Sequence, residues 1–373
     1  MRKTTTKLTA AMTAVLMLLG AGCSNGGTGS AETTTTAALE TTTTTTTAAA
    51  TETAETTTTA TEAVTEPETE ADDTSKPEAL ADQVKVAALK GPTAMGLVSF
   101  MNDSDNSDGS IYDFEIYAAP DELTPLIIQG KVDFACIPAN LAAVLYNKTE
   151  GEVEVLAVNT LGVLYIVESG SEEIQSIADL KGKTIYASGQ GSTPEFALNY
   201  LLEQNGIKDD VTIEWKAEHA ECVTAITENG GIAMLPQPFV TTAMMKNEGL
   251  RVALDLTKEW DKLDNGSTMI TGVVVGRKEF IDSYPGTADD FLTNYELSVD
   301  HVNSDTEGAA ALIGSYDIVP EAVAKKALPA CNITFIKGEE MRNKLSGYLE
   351  VLYNSLASSV GGKLPEEDFY YVG

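Results

Sequence analysis

Arginine is scarce in this 373-residue chain: Arg2, Arg251, Arg277 and Arg342 are all there are. Histidine occurs only at His219 and His301, and tryptophan only twice. A formal charge of −32 repels polyanions. Nucleic acid and anionic membrane surfaces are therefore excluded as partners. Cysteine is also sparse. Besides Cys23 there are Cys136, Cys222 and Cys331, an odd number at spacings that match no metal motif. Neither a disulfide framework nor a bound metal is expected, and no motif for an organic cofactor is present. Past the first 20 residues, no apolar run is long enough to span a bilayer.

What is present begins with "MRKTTTKLTAAMTAVLMLLGAGC". Arg2, Lys3 and Lys7 precede a short apolar stretch from Leu8 to Gly20, and small residues lead to Cys23. This is the pattern of a secretory signal, residues 1–22. A Cys directly after Gly-Ala-Gly resembles the lipobox of bacterial lipoproteins, with Gly20 where the box usually has Leu and Leu19 one place earlier. Lipidation at Cys23 is the expectation. Residues 23–82 are then almost entirely Thr, Ala and Glu, with twelve acids against Lys76 beyond Cys23. Such a segment has no apolar period to offset the entropy of ordering, and its charges repel one another. It reads as an extended tether whose Thr runs could carry O-glycans. Removing the three basic residues of the signal and the net −11 of the tether leaves about −24 on residues 83–373.

From residue 83 one unit recurs, a short β-branched apolar run followed by a turn and an amphipathic segment. "VKVAAL" precedes "TAMGLVSFM", "VDFACIP" precedes "NLAAVLYNK", "KTIYAS" precedes "STPEFALNYLLEQNG", and "IAMLP" precedes "PFVTTAMMKN". Strands alternating with helices indicate an α/β fold with mainly parallel sheets. From about residue 287 the text reads as mostly helical.

In open parallel sheets ligands bind beyond the carboxyl ends of strands, where helix N-termini also point. Four strand-to-helix loops stand out. In the first, Lys90-Gly91-Pro92-Thr93-Ala94, Gly91 permits close backbone approach, Pro92 presets a helical φ and Thr93 can cap. The second is Pro138-Ala139-Asn140, with Asn140 as N-cap. The third runs through Gly189, Gln190, Gly191, Ser192 and Thr193, where Ser192 and Glu195 have capping-box spacing and the glycines expose amides. The fourth is Leu235-Pro236-Gln237-Pro238. Convergent helix N-termini would offer N–H donors to an anion or a polar neutral group. Nucleotide motifs fail: "GPTAMGLV" lacks the Lys-Ser/Thr of a P-loop, and "GQGSTP" has Pro where a dinucleotide fold needs its third Gly.

"LKGPTAMGL", "GKVDFACIPANLAAVLYNKT", "IADLKGKTIYASGQGSTPEFALNYLL" and "LPQPFVTTAM", in that order, resemble the substrate-binding lipoproteins of ABC importers. The similarity covers roughly residues 84–350 and is nearest to the nitrate, aliphatic sulfonate, taurine and thiamine-pyrimidine-precursor binders. It implies a type II periplasmic-binding-protein fold, two lobes with a parallel-rich sheet each, joined by two crossings. Lobe I is expected at 83–161 plus 276–373 and lobe II at 162–275. The crossings are expected at Thr160-Leu161-Gly162 and between Thr271 and Gly276. The ligand would lie between loops one and two of lobe I and loops three and four of lobe II. The implied partners are a small-molecule ligand and an ABC permease. The implied protein is a monomer held to the membrane only by lipid, and the long tether fits the extracellular face of a Gram-positive surface.

With no arginine in any of the four loops, an anion would rest on backbone amides, on the hydroxyls of Thr93, Ser192 and Thr193, and on Lys90. That favours a neutral compound or a monoanion over a phosphate. Gln237 can donate and accept, and Pro138 and Pro238 shape their loops. Two alternatives remain open. One is a ligand sensor with the same lobes and no importer. The other is an enzyme of the same fold, for which "HAEC" places His219 and Cys222 three apart on a helix; core and helix-start roles account for that pair more simply, and no enzyme is expected.

Overall fold

The computed structural model describes residues 79–170 and 173–372. The signal segment, Cys23 and the expected tether lie outside the described residues, except that 79–82 lead directly into the first strand.

"VKVAAL" becomes β1 (Val84–Leu89), buried at every position but Lys85, as suits a strand covered on both faces. In chain order follow α1 (Pro92–Met95), α2 (Val98–Asp105), β2 (Tyr112–Tyr117), α3 (Pro120–Ile128), β3 (Phe134–Pro138), α4 (Ala139–Lys148) and β4 (Val153–Leu161). The second group is β5 (Leu164–Ser169), β6 (Thr184–Ser188), α5 (Thr193–Gln204), β7 (Thr212–Lys216), α6 (His219–Asn229), β8 (Ile232–Pro236), α7 (Phe239–Lys246), β9 (Leu250–Asp255) and α8 (Leu256–Asp261). The chain then returns through β10 (Ile270–Arg277), α9 (Lys278–Ser283), α10 (Pro285–Ser304), α11 (Thr306–Ser315), α12 (Glu321–Ala327), β11 (Ile333–Lys337) and α13 (Gly338–Ser355).

These strands form two sheets, one of order β11-β4-β10-β3-β1-β2 and one of order β7-β6-β8-β5-β9. Each is built around a parallel trio, β2-β1-β3 and β7-β6-β8, flanked by antiparallel strands that carry the chain in and out. This is the two-lobed α/β architecture. Parallel pairing requires a crossover, and the amphipathic helices supply it while covering the sheet faces. The apolar faces of α4 and α13 on one sheet and of α5 and α8 on the other belong to a single buried cluster that includes Leu145, Tyr348, Leu201 and Trp260. The lobes are therefore packed against each other as well as tethered.

The first crossing runs from β4 through Gly162 and Val163 into β5. The second lies earlier than the expected Thr271–Gly276. β10 is paired with β4 from Ile270 onward and with β3 from Gly272 onward, so those residues are already inside the six-stranded sheet. The run "TGVVVG" was expected to be the crossing between lobes because a strand buried on both faces has no polar alternation to mark which sheet owns it. One strand lies in the stretch that reads as mostly helical. β11 has only five residues and pairs at the sheet edge with β4 across a register shift.

Candidate ligand-binding site

The carboxyl ends of β1, β3, β6 and β8 and the crossing out of β4 deliver a set of uncharged polar side chains. Thr93, Asn140, Asn159, Thr160, Ser188, Thr193, Gln237 and Thr241 are all buried. Buried polar groups persist only when hydrogen-bonded, and these are mostly bonded to one another or to nearby backbone.

On the β1 side, Gly91 adopts a φ of 131°, open only to glycine, and serves as N-cap of α1 with no side-chain cap. Thr93 does not cap. Its hydroxyl donates to Leu89 O at 2.8 Å, while its carbonyl accepts from Asn159 Nδ2 at 3.4 Å. Thr160 Oγ1 donates to Asn159 Oδ1 at 3.0 Å. The loop and the crossing strand therefore interlock, so tightly that a Cβ on Gly272 would stand 2.5 Å from Asn159 Oδ1 and 2.6 Å from Thr93 Cγ2. Lys90 turns the other way. It is exposed, with its ammonium 3.3 Å from Asp317. Pro92 is half-buried and Ala94 lies in the lobe I core.

On the β3 side the N-cap of α4 is Pro138, and Asn140 sits inside the first turn rather than capping it. Its amide nitrogen donates to Ser359 O at 3.3 Å, and its Oδ1 accepts from Thr193 Oγ1 at 3.0 Å. Asn140 belongs to the six-stranded lobe and Thr193 to the five-stranded one, so two of the four loops meet directly.

The third loop differs from its expected form. The Ser192–Glu195 capping box is not made. Ser192 Oγ donates back to Gly189 O at 2.7 Å, and Glu195 Oε2 accepts from Gly191 N at 2.5 Å. Two left-handed glycines, Gly189 and Gly191, curl the loop so that Gly191, not Ser192, presents its amide to the carboxylate. Gln190 is exposed at the loop tip. In the fourth loop Gln237 N donates to Val163 O at 3.0 Å, beside the first crossing, and Gln237 Oε1 accepts from Thr241 Oγ1 at 2.9 Å. Pro238, joined through a cis peptide, is the N-cap of α7. The crossing itself is held by Asn332, whose Nδ2 donates to Gly162 O and whose carbonyl accepts from Leu161 N.

His219 starts α6 on the same edge as Ser188 and Gln237. Its Nδ1 is 2.5 Å from Ser188 Oγ, and its ring lies 5.0 Å from that of Phe239. Burial pushes the imidazole down to about 4 and the Cys222 thiol up from its ordinary value, so both are uncharged near neutral pH. Asn159, Ser188 and Thr241 escaped the sequence reading, and His219 was singled out there only with Cys222 as an enzyme alternative. Asn159 had a signal, being a polar residue beside Thr160 in an otherwise apolar strand. Ser188 did not, because its partner His219 is remote in sequence, whereas Thr241 lies one helical turn after Gln237.

A cavity of about 460 Å³ lies elsewhere, between α5 and α13, lined among others by Tyr200, Glu203, Asn265, Gly347, Glu350 and Asn354. It shares no lining residue with the buried polar set.

The chain is similar in fold to solved structures of solute-binding proteins. An ABC transporter structure from Parabacteroides distasonis superposes with a TM-score of 0.67 at 22% identity, covering 78% of this chain and 99% of the other. The periplasmic aliphatic sulphonate binding protein SsuA from Escherichia coli gives 0.65 at 16% identity, with 78% and 92% covered. The periplasmic nitrate-binding protein NrtA from Synechocystis PCC 6803 gives 0.50 at 12%, with 65% and 70% covered. No curated protein matches the chain. The NMT1/THI5 like family model matches residues 112–309, more than half of the 373 residues and spanning both lobes. The chain therefore belongs to the NMT1/THI5 like family.

Proposed function

We propose that the chain is an extracytoplasmic substrate-binding protein, anchored by lipid at Cys23, that hands a small polar or monoanionic metabolite to an ABC importer. The observation that carries this reading is the direct contact of Thr193 with Asn140, inside a buried set of uncharged polar side chains contributed by both lobes. A protein joined by two crossings can open by rotating one lobe from the other, and a ligand that binds both lobes favours closure. The same edges carry the sequence-expected set, Gly91 to Ala94, Pro138 and Asn140, Thr160 to Gly162, Gly189 to Thr193, Gln237 and Pro238. Lys90 is set aside because its ammonium is engaged at the surface. The family and the solute-binding proteins of similar fold support a transport role, with sulfonates, nitrate and pyrimidine precursors as starting candidates.

A binding role also suits the chemistry at Cys222. A cysteine nucleophile would need a thiolate, but burial holds Cys222 as a thiol. Thermal melting of the purified chain against nitrate, taurine, alkanesulfonates and pyrimidines tests the proposal. A true ligand at 100 times its Kd should stabilise the fold by about 2.7 kcal/mol. The reading fails if no compound raises the melting temperature and equilibrium dialysis detects no binding. Globomycin-sensitive processing and acyl labelling at Cys23 test the anchor separately.

A further inference from the structure

We propose that the site takes an uncharged, hydrogen-bonding molecule and that Glu195 excludes anions from it. This deepens the solute-binding reading and rests on it.

A helix N-terminus carries about half a positive charge, enough to hold an anion when its amides are free. At α5 that provision is already used. The Gly191 amide donates to Glu195 Oε2, while the Ser192 amide and hydroxyl both donate to Gly189 O. The carboxylate of Glu195, in the first turn of α5, contributes a full negative charge where the helix offers half a positive one. An anion arriving at this loop would meet net repulsion. Lys216, next to Ser188 in the sheet register, is paired with Glu214. Lys90 pairs with Asp317, and the arginines among the described residues are engaged by Glu168, by Asp133 and Glu279, and by Glu339 and Glu367.

A second, independent observation shows what the site does accept. Next to the Thr193–Asn140 contact, the buried Ser359 hydroxyl lacks a hydrogen-bond partner. Ser359 is 1% exposed, and its own carbonyl accepts from Asn140. An orphaned buried hydroxyl is costly and calls for a partner. It can donate or accept, and it carries no charge. A molecule presenting carbonyl, amide or hydroxyl groups would satisfy it without placing an ion in a low-dielectric interior. The chemical class is therefore an uncharged polar metabolite rather than a sulfonate or nitrate.

The test compares the full chain with Glu195→Gln, which keeps an acceptor for the Gly191 amide but removes the charge. Each is titrated calorimetrically with ethanesulfonate and with nitrate, against sodium chloride at matched ionic strength, and then with thymine, glycerol and propionamide. The unmodified chain should bind neither anion, and Glu195→Gln should bind at least one of them at least about tenfold more tightly. Equal anion binding by the two chains, or none by either, overturns Glu195 as the excluding residue. Anion binding by the unmodified chain overturns the charge assignment while leaving the solute-binding reading intact. If the chains bind no compound of either charge class, both proposals fall. Should Glu195→Gln not fold, Glu195→Ala carries the same comparison.

Discussion

Thr193 Oγ1 donates to Asn140 Oδ1 at 3.0 Å, joining the first turn of a helix in one lobe to the first turn of a helix in the other. Both side chains are buried, and the Asn140 amide nitrogen is bonded on its other side to Ser359 O. Thr193→Val keeps the shape of the side chain and leaves Asn140 Oδ1 without its donor. The expected loss is about 1–3 kcal/mol of folding stability, measured by urea denaturation. Because the bond spans the lobes, small-angle scattering of this variant should also show a larger radius of gyration. An unchanged radius would mean that the bond does not hold the lobes together.

Gly162 marks the first crossing. A Cβ there would stand 2.1 Å from Thr257 Oγ1, 3.1 Å from Thr257 Cβ and 3.0 Å from Met269 Sδ. Gly162→Ala should therefore destabilise the chain by about 1–3 kcal/mol through overpacking. Adding Thr257→Ala should recover most of that loss in the double variant, a coupling that a simple backbone effect would not produce.

The buried Glu168 carboxylate depends on Arg251, whose Nε donates to Glu168 Oε1 at 2.7 Å, with the Ile174 amide donating to Oε2 at 3.2 Å. Arg251→Ala would strand that carboxylate among apolar strands. A loss of about 3–5 kcal/mol is expected from chemical denaturation. Lys90→Ala is the contrasting case. Its pair with Asp317 is exposed, so melting should change by no more than about 0.5 kcal/mol and ligand binding should be unaffected.

His219 predicts an acid-sensitive term. Its folded-state value of about 4 lies below the ordinary 6.5, so between those values the unfolded chain binds more protons than the folded one. The stabilisation is fully present above pH ~6.5 and is lost as pH falls toward ~4, by at most about 3 kcal/mol. Subtracting the pH profile of His219→Gln from that of the unmodified chain should isolate this slope. Parallel profiles would show that the imidazole is not held neutral.

The α/β alternation was legible because buried strands and amphipathic helices leave local periodic patterns, and so were the four loops at strand ends. The roles of residues inside those loops were less legible. Spacing alone allowed a Ser192–Glu195 box, but the curl at Gly189 and Gly191 gave the carboxylate a different donor. Lys90 looked available until Asp317, more than two hundred residues away, was found beside it. Asn140 passed for a cap because a cap is a local role, whereas its actual partners, Thr193 and Ser359, are remote in sequence.

By itself, the amino-acid order determined the α/β class, the scarcity of guanidinium groups and the acidity of the surface, because composition and short-range periodicity suffice for each. Tertiary structure alone decided where the second crossing lies, which hydroxyls are left without partners and which lobe contacts close on each other. Those outcomes depend on contacts between segments far apart in the chain, and no local pattern encodes them.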